Sequence, residues 1–214
     1  MIASAAHGAE REPVVQALKA PSTPLGRSLR VMSEPGPELS LDEVLRSAGS
    51  DRFRSYDETV LGFGLTHRPV WAHLVVENSS DQPLPRRLVI APSWLDRVDV
   101  HLLQDGRMIE RWSTGDEHAG VPYLNEALGY VLEPILPPGR SDVLIRIETP
   151  DPMVLEVRLL SPLAAEDLAE FERYSYGVLY GFIFSLATYN VMLFLGMRRW
   201  PSLYYAVYLL SFIA

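Results

Sequence analysis

LDRVDVHLLQDGRMIERW, residues 95–112, is two alternating runs joined by a two-residue turn. Val98, Val100 and Leu102 fall on one side of the first run and Arg97, Asp99 and His101 on the other, the period of a strand with one buried face. Asp105-Gly106 tolerates the positive φ that a tight hairpin demands, so the chain turns back antiparallel into Arg107–Trp112. The same period recurs on both sides of this hairpin. Val70–Asn78 sets Val70, Ala72, Leu74 and Val76 against Trp71, His73, Val75 and Glu77. Arg87–Ala91 is a short strand, Tyr130–Leu136 and Asp142–Thr149 flank Pro137-Pro138-Gly139, and Met153–Leu160 aligns Met153, Leu155, Val157 and Leu159. About seven or eight short strands with turn signals between them, and no helix-period segment among them, predict an all-β antiparallel sandwich rather than βαβ units.

Residues 1–40 carry Pro13, Pro21, Pro24, Pro35 and Pro37 and hold no sustained period, which reads as a disordered lead-in. Ala3-Ser4-Ala5 has the small-x-small form of a cleavage site, so this stretch is alternatively a signal-peptide remnant. Ser40–Leu45 reads as a short helix with Ser40 at the N-cap and Glu43 at the capping-box position, a lid or strut that opens the sandwich domain of residues 41–165. Leu163 to Arg173 is helical in pattern, and residues 166–173 form the connector to an apolar segment.

Tyr174 to Gly196 contains no Asp, Glu, Lys, Arg or His. At 1.5 Å per residue it reaches roughly 34 Å, enough for the ~30 Å hydrocarbon core, so residues 174–196 are a transmembrane helix candidate. Glu166, Asp167, Glu170 and Glu172 precede it and Arg198 and Arg199 follow, which orients residues 1–173 outside the cytoplasm and the two arginines inside. Residues 201–214 begin a second apolar helix that is cut short, as in a fragment of a longer membrane protein or a truncated gene product. Gly177 and Gly181, four apart, suit close helix approach, and Asn190 inside the span calls for a hydrogen-bond partner on another helix.

Residues 1–173 hold 17 Lys and Arg against 27 Asp and Glu. That acidity argues against nucleic acid and against adhesion to anionic lipid. With no cysteine, disulfides, thiolate nucleophiles and cysteine zinc sites are excluded. His67, His73, His101 and His118 show no metal spacing, and no P-loop, dinucleotide fingerprint or nucleophile elbow is present. Asp96 and Asp99, three apart on a strand, face opposite sides and cannot share acid–base work. The sequence assigns no catalytic residue, no metal and no cofactor.

Several of these segments resemble a known family when taken in order. Leu61-Gly62-Phe63-Gly64, Val70-Trp71 with a strand ending Glu77-Asn78, Trp94 to Val100, Gly115-Asp116, the Pro-Pro-Gly turn and Leu144-Ile145-Arg146-Ile147 resemble the type 2 extracellular domain of the bacterial seven-transmembrane receptors with diverse intracellular signalling modules. Tyr176-Gly177 to Gly181, Tyr189-Asn190 and Leu203-Tyr204-Tyr205 resemble the first helix of that family and the opening of its second. The resemblance covers roughly Leu41 to Ala214. It implies a jelly-roll sandwich similar to carbohydrate-binding modules, periplasmic and anchored in the inner membrane. It also implies a receptor whose output module, a diguanylate cyclase, histidine kinase or phosphatase, lies beyond this chain, so no enzyme activity is expected of the chain itself. Two positions depart from the family pattern: Val121–Glu126 replaces an Arg-Pro pair, and His73 stands where many members have Arg.

A sugar-binding face needs flat rings for stacking and planar polar groups for paired hydrogen bonds. By strand parity Trp71 and His73, Asp99 and His101, and Arg146 with Glu148 each lie opposite the aliphatic residues of their strand. Those strands, if neighbours in one sheet, present Trp71, His73, Asp99, His101 and Arg146 as a ligand face for a small molecule or carbohydrate. Plainer readings are packing of Trp71 against a loop and a solvated face for Asp99 and Arg146, with Trp94 and Trp112 as corner plugs. The chain is thus expected to be the ligand-sensing domain of a membrane receptor, with a homodimer open to it. The alternative is a membrane-anchored envelope protein whose sandwich binds another protein.

Overall fold

The computed structural model describes residues 13–34, 36, 39–48, 50–66, 68–117, 123–125 and 127–212. The elements run β1 (Val14–Gln16), β2 (Leu29–Ser33), α1 (Leu41–Ala48), β3 (Arg54–Ser55), β4 (Leu61–Leu65), β5 (Val70–Asn78), β6 (Leu84–Pro85) and β7 (Arg87–Ala91). They continue with β8 (Arg97–Gln104), β9 (Arg107–Thr114), β10 (Leu124–Asn125), β11 (Gly129–Leu132), β12 (Ile135–Leu136), β13 (Gly139–Glu148), β14 (Pro152–Leu160), α2 (Pro162–Met197) and α3 (Trp200–Leu210).

Two sheets carry the domain. The larger is ordered β3-β2-β5-β13-β8-β9 with β1 also on β5, the smaller β10-β11-β7-β14-β4, and β12 pairs β6 apart from both. Every pairing is antiparallel except β1 with β5. The β8–β9 hairpin turns where the sequence requires it, Asp105 and Gly106 having φ of 51° and 73°. Ala72, Leu74, Val100 and Ile145 of the larger sheet and Ile90, Leu155 and Val157 of the smaller, each fully buried, belong to one core. The chain is therefore a two-sheet sandwich, held chiefly by the apolar area its inner faces remove from water. Fully buried Tyr130 donates its hydroxyl to the Ser93 and Leu95 carbonyls at 2.7 and 3.1 Å. Its burial, and then the charges of Asp116 and Asp96, push that phenol up to about 12. Gly115 is indispensable: its φ is +133°, and a Cβ would stand 2.0 Å from the Asp96 carbonyl oxygen.

The sequence reading needs correction at the front of the domain. Residues 1–40 are not a lead-in throughout: β2 pairs Val70–Leu74 of β5, and β1 continues along Val75–Glu77. Leu29 and Val31 enter the core by simple alternation, but the run is too short to stand out among prolines. Ala3-Ser4-Ala5 lies outside the described residues. The strand expected over Tyr130–Leu136 is two, because Pro134 has no amide hydrogen for the ladder and the chain leaves β11 for the separate β12 pairing. Helix α1 forms as expected, Glu43 accepting from both the amide and the hydroxyl of Ser40 at 2.9 and 2.7 Å.

The chain divides into two compact units, Met1–Ala165 and Glu166–Ala214. α2 is 36 residues long, with an apolar window of mean hydropathy 1.8, and is long and apolar enough to cross a membrane. The connector and the expected span are one uninterrupted helix. The buried residues of the second unit include Ala187 and Ala206, and the rings of Phe194 and Trp200 lie 5.3 Å apart. Gly177 and Gly181 face open space, a Cβ at either meeting nothing within 4 Å. Asn190 Nδ2 donates to the Leu186 carbonyl one turn back at 2.9 Å.

Deleting residues 1–33 removes β1 and β2 and uncovers one edge of β5. Such a chain is expected to lose cooperative thermal unfolding by circular dichroism, while one starting at Pro13 keeps it. A cooperative transition in the shorter chain would refute the assignment of these strands to the core.

Candidate functional site

β5, β13 and β8 are adjacent, so their residues of like parity line up across the sheet. One cross-strand row reads Met32, Trp71, Arg146, Asp99, Ser113, and the next reads Arg30, His73, Leu144, His101, Arg111. The structure thus brings together all five side chains singled out from the sequence. Their exposure is the surprise. Trp71, His73, Asp99, His101 and Arg146 are 2–7 % exposed, and the solvated face expected for Asp99 and Arg146 does not exist.

Trp71, His73 and Arg146 meet a strap formed by the described residues of 34–53. Val44 and Phe53 from the strap pack with Met32, Trp71, Leu103 and Leu144 in a second apolar cluster, to which Leu39, Leu41 and Leu45 add their sides. This is the α1 amphipathic face at work: Leu41, Val44 and Leu45, at i, i+3 and i+4, form the stripe that seats it. Phe53 meets the His73 ring edge-on at 6.1 Å, and Trp71 stacks on His101 at 6.0 Å.

The polar clasp is sharper. Buried Glu34, 1 % exposed, accepts at Oε1 from Trp71 Nε1 at 3.0 Å and from the Leu39 amide at 3.1 Å, and at Oε2 from Arg146 at 3.3 Å. Arg146 also donates to Glu148 at 2.8 Å. At the strap's far end Arg30 donates to the carbonyls of Ser50 and Phe53 at 3.1 and 3.0 Å. Burial works against the Arg146 charge, but Glu148 and Glu34 outweigh it and hold its pKa above the ordinary value. For Asp99, burial pushes the carboxyl up, and the Ser113 hydrogen bond with Arg97 and Arg111 overcomes this to leave it low. Arg97 donates to it at 2.8 Å and Arg111 at 3.4 Å. His101 is depressed, first by burial and then by the Arg111 charge, with Asp99 opposing. His73 meets Asp142 at 2.9 Å.

Among the described residues, Arg146 Nε and His101 Nδ1 of this layer have no hydrogen-bond partner. The layer can therefore offer Arg146 Nε to a further acceptor. Among the described residues no three His, Asp or Glu side chains converge as metal ligands. Asp96 stands apart, accepting from the Thr149 hydroxyl. Trp112 is a core residue, 6 % exposed, as a plug should be, whereas Trp94 is 53 % exposed and plugs nothing. His67 and His118, and the departures at Val121, Pro122 and Glu126, lie outside the described residues. Sequence reasoning missed Glu34 and Phe53, since the strap's contacts are long-range and a lone Glu among prolines carries no period.

The family model described as 7TMR-DISM extracellular 2 matches residues 26–161. No curated protein matches the chain. Among solved structures, a GH31 alpha-xylosidase from Xanthomonas citri is similar at 12 % identity and a TM-score of 0.32, over 66 % of this chain and 14 % of that one. The insecticidal delta-endotoxin Cry8Ea1 of Bacillus thuringiensis is similar at 11 % and 0.29, over 70 % of this chain and 25 % of that one. The chain spans a quarter or less of either, and likenesses this slight bear on neither fold nor function.

Two outcomes are expected from the clasp. Arg146→Met leaves Glu34 buried without its cation and should cost about 3–5 kcal/mol in denaturant unfolding. His101, held neutral in the fold, binds a proton more readily when unfolded, so its contribution is complete above about pH 6.5 and is lost as pH falls through the depressed folded value. The thermal midpoint should therefore drop between pH 7.5 and 5, and by less in His101→Phe, which keeps a ring against Trp71. An equal drop in both proteins would exclude His101 as the source.

Proposed function

This chain belongs to the family of 7TMR-DISM extracellular 2 domains, and from that premise we propose that it is the ligand-sensing domain of a membrane receptor, responding through the layer of Trp71, His73, Asp99, His101 and Arg146. An extracellular family followed by a helix of spanning length makes it a membrane protein with an extracellular part. The observation that carries the reading is the two rows of aligned polar and aromatic side chains, with Arg146 Nε and His101 Nδ1 unpartnered beneath a strap. Groups so placed favour a second arrangement in which ligand oxygens replace Glu34 and the strap lifts. A ligand shifts such an equilibrium only by its differential affinity for the two arrangements.

The ligand class supported best is a carbohydrate or similar small polyol. Trp71 offers a flat ring, and Arg146 and Asp99 on the neighbouring strands offer a planar donor and an acceptor in the same row. We read the sandwich as a jelly roll of the kind carbohydrate-binding modules use, the domain as periplasmic in the inner membrane, and Arg198 and Arg199 as cytoplasmic. Signal would leave through α2, which starts two residues after β14 and runs unbroken to Met197. No enzyme activity is assigned to the chain.

The test is a thermal-shift screen of neutral and charged saccharides on the full chain in nanodiscs, repeated with His101→Ala and Arg146→Gln. A ligand should raise the midpoint of the parent and lose most of that effect in both variants. Shifts that survive both substitutions would remove the layer from the site.

A further inference from the structure

A pocket of about 380 Å³ opens beside the strap's far end, lined by Val31, Met32, Ser33, Arg52, Arg54 and Tyr56. Its volume falls within the range of small-molecule sites. None of these residues belongs to the buried layer's polar rows except Met32, which packs on both.

The arginines are what set it apart. Five other arginines of this acidic domain are paired: Arg27 with Asp57, Arg87 with Glu133, Arg97 and Arg111 with Asp99, Arg158 with Glu156. Arg52 and Arg54 stand two apart, both exposed, and among the described residues neither guanidinium has a hydrogen-bond or ion-pair partner. Two unpaired forks in one concavity present more donors than any neighbouring group accepts, the requirement for a carboxylate held by bidentate bonds. Tyr56, 40 % exposed, is braced edge-on by the Phe63 ring at 6.2 Å, leaving a firm aromatic face for the apolar side of a ring.

We propose that this pocket binds an acidic saccharide, its carboxylate on Arg52 and Arg54 and its ring against Tyr56. The site serves the sensing role proposed above and gives its ligand a chemical class. Its position also links it to the clasp. Phe53 lies between the two arginines in sequence, its ring on His73 and its carbonyl bound by Arg30, so a ligand gripping Arg52 and Arg54 acts on the residue that pins the strap.

Ligand-observed saturation-transfer NMR on the full chain in nanodiscs tests this with D-glucuronate as the probe, glucose as the neutral control and sulfate as the bare anion. Glucuronate should saturate at millimolar concentrations, weaken at least tenfold in Arg52→Gln and in Arg54→Gln, weaken in Tyr56→Ala and persist in Tyr56→Phe. Arg107→Gln, at the start of β9 and away from both sites, should leave it unchanged. Absence of saturation by glucuronate up to about 50 mM, or binding that survives the Arg52→Gln, Arg54→Gln double variant, overturns the proposal. Equal binding by glucose or sulfate overturns the assigned ligand class. Loss of binding in Arg146→Gln with both arginine variants intact would place the ligand in the buried layer, so the sensing reading would survive and this one would not.

Discussion

The sandwich depends on a conflict that every outer row of the larger sheet must resolve. Strand parity sends the aliphatic side chains of β5, β13 and β8 into the shared core, and the same parity forces Trp71, Arg146 and Asp99 to the opposite side in one line. An indole and an arginine on neighbouring strands of that face are both buried, and a guanidinium taken out of water needs a counter-charge. Glu34 supplies it, at the start of a strap that also brings the apolar side of α1 and the ring of Phe53. Removing either half of the clasp leaves the other charge buried, which is why the strap's position is specified by electrostatics while its adhesion comes from the apolar cluster.

The larger part of this architecture was legible in the residues. Val70–Asn78 and Arg87–Ala91 are strands with the boundaries their alternation gives, the Asp105-Gly106 hairpin turns as its residues require, and the five candidate side chains share a face. Parity is a local property, and it survived folding. What parity cannot report is what lies above a face. Asp99 and Arg146 look like solvated residues because charge on the far side of an alternating strand ordinarily means water. The cover comes from residues 34–53, whose pairing with the sheet is a matter of long-range fit between Leu41, Val44, Leu45 and Phe53 and a surface assembled from four strands.

Strands β1 and β2 were hidden for a different reason. Proline density and the absence of a long period made residues 1–40 read as linker, but a strand added along one edge of β5 needs only a few alternating residues, as Leu29, Val31 and Arg30 provide. In the membrane part the apolar run announces a helix long enough to span, while which face of it packs depends on neighbours the local sequence does not encode.

Burying polar groups in this way has a consequence for switching. An apolar roof over an apolar face would leave on displacement only at the full cost of exposing both, and nothing in solution would compensate it. A roof clasped through Glu34, Trp71 and Arg146 presents groups that another acceptor can satisfy equally well, so its displacement energy is adjustable by whatever binds. Arg146 Nε, without a hydrogen-bond partner among the described residues, is a donor that an incoming acceptor oxygen would satisfy. The strap is thus held by two unlike halves, a polar one through Glu34 whose strength depends on what acceptors are at hand and an apolar one seated on Leu103 and Leu144 that does not.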